Sequence, residues 1–277
     1  MLVLMFWNCG GRGDGAIIGA LCRQHDVDIL LLAEVETDSA QLVTDINGSR
    51  GLKPALWELP RGNSRVRAFT RFTPDAVTPA FDDRHVKMLD LRPPIGPPIL
   101  IVAAHLPSKL RADDDDQQYR VRQLRQDIAA RETHAGHSNT LVIGDLNMNP
   151  FEDAMTAADG LHGVMAKDVA SRKPRTVQGK AWDYFYNPMW SRLGDESPGP
   201  PGTYWYPGSG TISHFWNTFD QVLLRPGLLP YYDPAGLIVP DAVAGQPILH
   251  NGGGKAGLSD HLPIVLALAI EKDVRHG

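Results

Sequence analysis

An α/β protein built on mixed β-sheets is what this sequence predicts, and three observations carry the prediction. Short apolar runs of strand length recur along most of the chain. Amphipathic helical patterns separate only some of them. Residues 66–105 hold three candidate strands and no good helix, so that part must pair antiparallel or mixed, because parallel neighbours need a long crossover. Two packed mixed sheets with helices outside account for all three.

In chain order, residues 2–7 read as a first strand. Residues 15–25 put Ile17, Ile18, Leu21 and Cys22 on one helical face. Residues 28–33 are a second strand, and 66–70, 86–91 and 99–104 follow as strands, with a Pro-rich loop at 93–98. Asp113 to Asp116 form an acidic run whose carboxylates suit a helix N-terminus. The helix itself is read over 117–132, with Val121, Leu124 and Ile128 on its apolar face. Further strands fall at 141–143, 221–224 and 262–270. Residues 171–216 differ: they are rich in Pro, Gly and aromatics and read as a long ordered insertion, functional or self-packed. With no internal repeat and no clean linker, a single catalytic domain over 1–277 is expected.

Bulk composition narrows the function. The 277 residues are 43% hydrophobic, enough for a sizeable core, and carry a net charge of −5. A protein that coats nucleic acid nonspecifically is usually basic, so long duplex DNA is disfavoured as a partner relative to short or single-stranded phosphoester substrates. The two cysteines, Cys9 and Cys22, have no zinc-type spacing and read as buried thiols. Residues 1–7 lack the basic region and cleavage site of a signal peptide, and no run reaches membrane-spanning length. The expectation is a cytoplasmic chain with no membrane span and no readable obligate protein partner.

The polar residues at the strand ends point to chemistry. Asn8 follows the first strand, Glu34 the second, His105 the run at 99–104, and Asp145 and Asn147 the run at 141–143. Asp220 precedes 221–224, and Asp260-His261 precedes the last strand. In a mixed sheet, C-terminal ends of some strands lie beside N-terminal ends of others, so all can meet at one edge. Four carboxylates gathered there repel one another unless a cation neutralises them. Oxygen ligands suit Mg²⁺ or Mn²⁺, which activates water and neutralises a phosphoryl group. Lys109 is a candidate phosphate contact or a solvated lysine. Trp205 and Trp216 are candidates for stacking on substrate or for the local core of the insertion. Arg61, Arg65, Arg67 and Arg71 line a backbone-binding groove or keep an edge strand soluble. The Gly-rich stretch at 10–15 precedes a helix and offers amides to an anion.

Read together, Trp7-Asn8, Ala33-Glu34-Val35, His105-Leu106-Pro107-Ser108, Gly144-Asp145-Leu146-Asn147, Phe219-Asp220-Gln221-Val222 and Ser259-Asp260-His261-Leu262-Pro263 resemble the endonuclease/exonuclease/phosphatase superfamily, with its deoxyribonuclease I-like and exonuclease III-like members. The resemblance runs from residue 7 to residue 263 and implies a four-layer α/β sandwich. It implies a Mg²⁺- or Mn²⁺-dependent phosphoesterase, most often a phosphodiesterase or nuclease. The alternatives are a phosphatase of a small phosphorylated metabolite or lipid head group, and a noncatalytic binding member of the fold. It also implies roles: Asn8, Glu34 and Asp260 at the metal, Asp145 orienting or deprotonating the attacking water, Asn147 on a phosphate oxygen, Asp220 paired with His261, and His105 facing the phosphate from the other side. Two features depart from the pattern. Gly10 stands where nuclease members often have an acid, and residues 65–70 offer no carboxylate partner for His105.

Overall fold

Every residue of the first strand is buried, which a strand achieves only between neighbours on both edges and layers on both faces. The computed structural model describes residues 1–48, 55–109, 113–208, 210–249 and 258–271. In it the first sheet contains β1 (Leu2–Asn8), β2 (Ile29–Ala33), β3 (Trp57–Glu58) and β4 (Val66–Thr70), joined from late in the chain by β12 (Tyr232–Ile238) and β13 (Ile264–Leu268). Their order is β12-β13-β1-β2-β4-β3. The second sheet contains β5 (Val77–Asp82), β6 (Val86–Leu91), β7 (Ile99–His105), β8 (Thr140–Asp145), β9 (Gly163–Val164), β10 (Phe185–Tyr186) and β11 (Asp220–Leu224). Their order is β5-β6-β7-β8-β11-β10-β9.

Both sheets are mixed. β1 runs parallel to β2 and antiparallel to β13, while β7 runs parallel to β8 and antiparallel to β6. The region 66–105 is antiparallel throughout, as its short connections require, but it holds four strands. The extra one, β5, has polar and proline positions and an exposed face at the sheet edge, so it lacks the apolar run that marks the others.

Helices cover the outer faces. α1 (Gly15–Gln24) and α2 (Ser39–Asn47) lie together, and α3 (Asp114–Ala135) covers the second sheet. The Asp113 side chain accepts from the Asp116 amide at 2.9 Å, Asp114 to Asp116 fill the first turn, and Gly136 ends the helix in the left-handed region at φ 72°. Asp14 caps α1 by accepting from the Ala16 and Ile17 amides. Within the Gly-rich stretch, the Gly10 amide donates to Asn8 Oδ1 at 3.1 Å and the Gly11 and Arg12 amides to the Glu34 and Cys9 carbonyls at 2.9 and 3.0 Å, so these three amides serve the chain itself rather than an anion. No helix among the described residues is long and apolar enough to cross a membrane.

Side-chain alternation fixes which face looks where. On β7, Ile99, Ile101 and Ala103 join the core between the sheets, whereas Leu100, Val102 and Ala104 pack with Val121, Leu124 and Ile128 of α3. β8 and β11 follow the same rule: Leu141, Ile143, Val222 and Leu224 point inward, Val142 and Leu223 outward. Carried one step further, this parity aims His105, Asp145 and Asp220 into the space between the sheets at its open rim. The 171–216 segment supplies β10, a small hairpin at 175–182 and part of a ribbon pairing 204–205 with 216–217.

Candidate active site

His105, Asp145 and Asp220 form one row across three adjacent strands, since His105 pairs with Asp145 and Asp145 with Asp220 in the β7-β8-β11 register. Asn8 and Glu34 arrive opposite them from the ends of β1 and β2. The Asn8 Nδ2 group donates to Asp145 Oδ2 at 3.0 Å and to Glu34 Oε1 at 3.4 Å. His105 Nε2 lies 3.2 Å from Glu34 Oε1. His261 Nδ1 donates to Asp220 Oδ2 at 2.8 Å. The Nε2 atoms of His261 and His105 then flank the same atom, Asp145 Oδ2, each at 3.9 Å. Asn147 donates its backbone N–H to Asp145 Oδ1 at 2.9 Å and its Nδ2 to Asp145 Oδ2 at 3.1 Å. Nitrogen donors from four side chains thus converge on one buried carboxylate at the floor of a cleft.

The electrostatics follow from this crowding. Burial alone would lower the His261 pKa, but Asp220, Asp145 and Asp260 raise it to about 10, so the ring is held as an imidazolium. Burial, reinforced by Asp220, pushes Asp145 upward, and the two histidines and Asn8 pull the other way. The hydrogen bond from His105, against partial burial, holds Glu34 down at about 2. His105 Nδ1 has no hydrogen-bond partner, in line with the missing carboxylate upstream of it.

Local backbone geometry builds the constellation. Gly144 has φ 153°, and a Cβ there would fall 2.0 Å from the Ala104 carbonyl oxygen, so only glycine lets β7 and β8 close beside Asp145. Glu34 sits in the left-handed region at φ 53°, a strained conformation for a glutamate of the kind held at functional sites. Gly10 explains the missing acid: at φ 56° a Cβ would approach Asp260 Oδ1 to 2.9 Å, so Asp260 already fills that place.

Sequence reasoning passes over two supports. The Ser259 hydroxyl donates to the Asn8 carbonyl at 2.8 Å and accepts from the His261 amide at 3.0 Å, stapling the two ends of the chain's first sheet. The Thr203 hydroxyl accepts from the Asp220 amide at 3.0 Å, and the Tyr204 ring lies 4.5 Å from the His261 ring. Ser259 is legible as part of the Ser-Asp-His run; Thr203 carries no local signal, because its partner is seventeen residues away.

The predicted substrate contacts fall differently. Trp205 and Trp216 do not line the cleft. They meet each other edge to face at 5.3 Å, and Trp216 packs on the main core. Alternation along the ribbon turns Tyr204 and Tyr206 to the cleft and Trp205 away from it. Lys109 lines the cleft but is ion-paired with Glu152 rather than free for phosphate. Of the arginines, Arg67 is committed to Glu58 and the Thr37 carbonyl, and Arg71 to Asp26, whereas Arg65 stays exposed on the cleft wall.

The donor set suits a hard divalent cation. Glu34 is half-buried with its carboxylate at the cleft, and Asp260 is exposed beside Gly10. No thiolate competes, because burial, and then Glu34, push the Cys9 thiol far up. Asn8, grouped with these two by the resemblance, turns its nitrogen to the carboxylates because its oxygen accepts from the Gly10 amide at 3.1 Å. Asp145, Asp220 and His261 also offer ligand atoms within 4.8 Å of one another. There the His261 Nδ1 proton already occupies the space between imidazole and Asp220.

The profile of the Endonuclease/Exonuclease/phosphatase family matches residues 5–261. No curated protein matches the sequence. Among solved structures, truncated Caenorhabditis elegans TDP2 superposes with a TM-score of 0.54 at 15% identity, covering 96% of each chain. A humanized D. rerio TDP2 carrying 14 mutations gives 0.52 at 16% identity, covering 96% of this chain and 98% of that one. At these identities the likeness is one of fold.

Proposed function

Because the chain belongs to the endonuclease/exonuclease/phosphatase family, we propose that it is a metal-dependent phosphoesterase that hydrolyses a phosphodiester by in-line attack of water. The observation that carries this reading is the pair of imidazole Nε2 atoms set on either side of Asp145 Oδ2, one of them an imidazolium anchored by Asp220. A phosphate lowered onto that floor meets His261 and His105 as donors and Asp145 as the buried acceptor placed to take a proton from water. His261 balances the charge that builds on the phosphoryl oxygens, and Asp220 keeps its ring oriented and charged. Asn147 holds Asp145 in place, since its two Nδ2 hydrogens are committed to Asp145 Oδ2 at 3.1 Å and to the Leu106 carbonyl at 2.9 Å.

Glu34 and Asp260, with Asn8 beside them, are the residues we assign to a Mg²⁺ or Mn²⁺ ion, which when bound polarises the phosphoryl oxygen and eases departure of the leaving group. Asp145 is raised in pKa by its burial, which suits a general base. A diester is favoured over a monoester by the shape of the cleft. At about 1650 Å³ it exceeds the roughly 300–1,000 Å³ of a small-ligand pocket. Beyond the residues around Asp145 it is lined by Arg65 and Arg84 and by Tyr206 and Phe151.

The test is hydrolysis of bis(4-nitrophenyl) phosphate beside 4-nitrophenyl phosphate, each in EDTA, Mg²⁺ or Mn²⁺, with Asp145→Asn as control. Metal-dependent cleavage of the diester, lost in the variant, supports the reading. Cleavage of the monoester alone moves the assignment to a phosphatase, and failure to bind either metal by titration sinks the enzyme.

A further inference from the structure

We propose that Arg65 and Arg84 form a subsite for a second phosphate, so that the substrate is a short single-stranded polyphosphodiester rather than an isolated diester. The proposal rests on the phosphodiesterase reading and names what lies beyond the reacting phosphate. The row of functional residues does not stop at His105. The His105 amide donates to the His85 carbonyl at 2.8 Å, and the His85 ring nitrogen Nδ1 sits 3.1 Å from the His105 carbonyl oxygen. His85 and Arg84 thus continue the row one strand outward. The Arg65 amide then donates to the Arg84 carbonyl at 3.1 Å, bridging the rims of the two sheets. Arg65, Arg84 and His85 all line the cleft.

What distinguishes these two arginines is that three carboxylates near them in sequence, those of Glu58, Asp82 and Asp83, are already engaged by other groups. Glu58 holds Arg67 through bonds of 2.8 and 2.9 Å and Arg61 at 3.1 Å. Asp82 takes Lys87 and the Ser64 amide. Asp83 Oδ1 accepts from the His85 and Val86 amides, each at 2.7 Å. Arg65 and Arg84 are exposed and make no ion pair among the described residues. In a chain of net charge −5, two exposed arginines joined through a backbone hydrogen bond share one stretch of the cleft wall. Like charges so placed are relieved by an anion, and guanidinium groups match phosphate oxygens in pairs. The subsite lies two strand spacings from Asp145, roughly 10 Å. An isolated diester does not reach it; an oligonucleotide does.

Binding of fluorescein-labelled oligothymidylate, followed by anisotropy in EDTA across a salt series, tests this without turnover. The variant is Arg65→Ala/Arg84→Ala, and the charge-matched control is Arg122→Ala/Arg172→Ala, whose side chains pair with Asp159 and Asp168 away from the cleft. The expected result is a tenfold or larger rise in Kd in the first variant only. The salt slope should fall by about 0.7, the value for one phosphate of a single strand that the protein ceases to neutralise. An unchanged Kd and slope in a variant that keeps its melting temperature overturns the subsite. Inositol hexakisphosphate as competitor separates the two sources of a second phosphate. If it displaces the oligonucleotide at equal or lower concentration from the wild type, the strand assignment is overturned in favour of a small polyphosphate. Oligonucleotide binding that depends on the two arginines, in a protein that cleaves no diester, would retain the subsite and reject the hydrolase.

Discussion

Asp220→Asn isolates one charge at the centre of the site. The carboxylate is fully buried and receives the His261 Nδ1 proton at 2.8 Å. Asparagine keeps the shape and an accepting oxygen but removes the charge. Burial lowers the His261 pKa, and Asp220 is the foremost of the groups that raise it instead to about 10. A carboxylate so close is worth about 1–3 in pKa, or roughly 1.4–4 kcal/mol of preference for the imidazolium. The variant should therefore titrate His261 near pH 7–9 as an order-of-magnitude figure. The sign for stability follows from the raised value. In the wild type the contribution is full below about 6.5 and is lost as pH rises through about 10. In the variant it is smaller and is lost at lower pH. The assay is His261 ring NMR in EDTA, with urea unfolding at pH 6, 8 and 10, and the pH dependence of kcat/KM on an activated diester. The basic limb of that profile should move down with the NMR midpoint. An unmoved midpoint and limb would refute the argument that Asp220 holds the charge.

Four further expectations are independent of that one. Glu34→Gln should remove most of the rise in melting temperature that Mn²⁺ gives the wild type; an equal rise in the variant would place the ion elsewhere. Gly144→Ala should destabilise the fold by about 3 kcal/mol or more, as overpacking against a backbone oxygen 2.0 Å away demands, read by urea denaturation. Near-wild-type stability would mean that β7 and β8 part easily. Tyr206→Ala should raise KM with an unchanged melting temperature, since that side chain is 56% exposed on the cleft. Trp216→Ala should instead cost about 2 kcal/mol or more through poorer packing, and the reverse pattern would restore the tryptophans as the stacking pair.

The strand ends are readable because a polar or ionisable residue bounding a fully apolar run has few structural excuses. Asn8, Glu34, His105, Asp145, Asp220 and His261 all stand out that way, and the mixed pairing follows from connections too short for helices. What stays hidden depends on partners distant in sequence. β5 is an edge strand with no apolar signature. The face of the aromatic ribbon is set by its register, Trp205 against Trp216, which no local pattern specifies. The fate of Lys109 is set by Glu152, forty-three residues away. The same holds for the arginines: Arg67 is buried against Glu58 and the Thr37 carbonyl, partners nine and thirty residues away, whereas Arg65 is exposed.

The register that joins Leu2 to Leu268 has a cost during synthesis. β1 acquires β2 within a few tens of residues, but its other edge waits for β13. At ordinary elongation rates of about 5–20 residues per second, that wait is roughly 10–50 s. Throughout it a wholly apolar strand has one unpaired edge, the condition that invites misassociation. Since Ser259 and His261 enter with the same late segment, the nascent chain also has no complete site. The constellation around Asp145 is complete only once β13 has paired with β1 and brought His261 against Asp220.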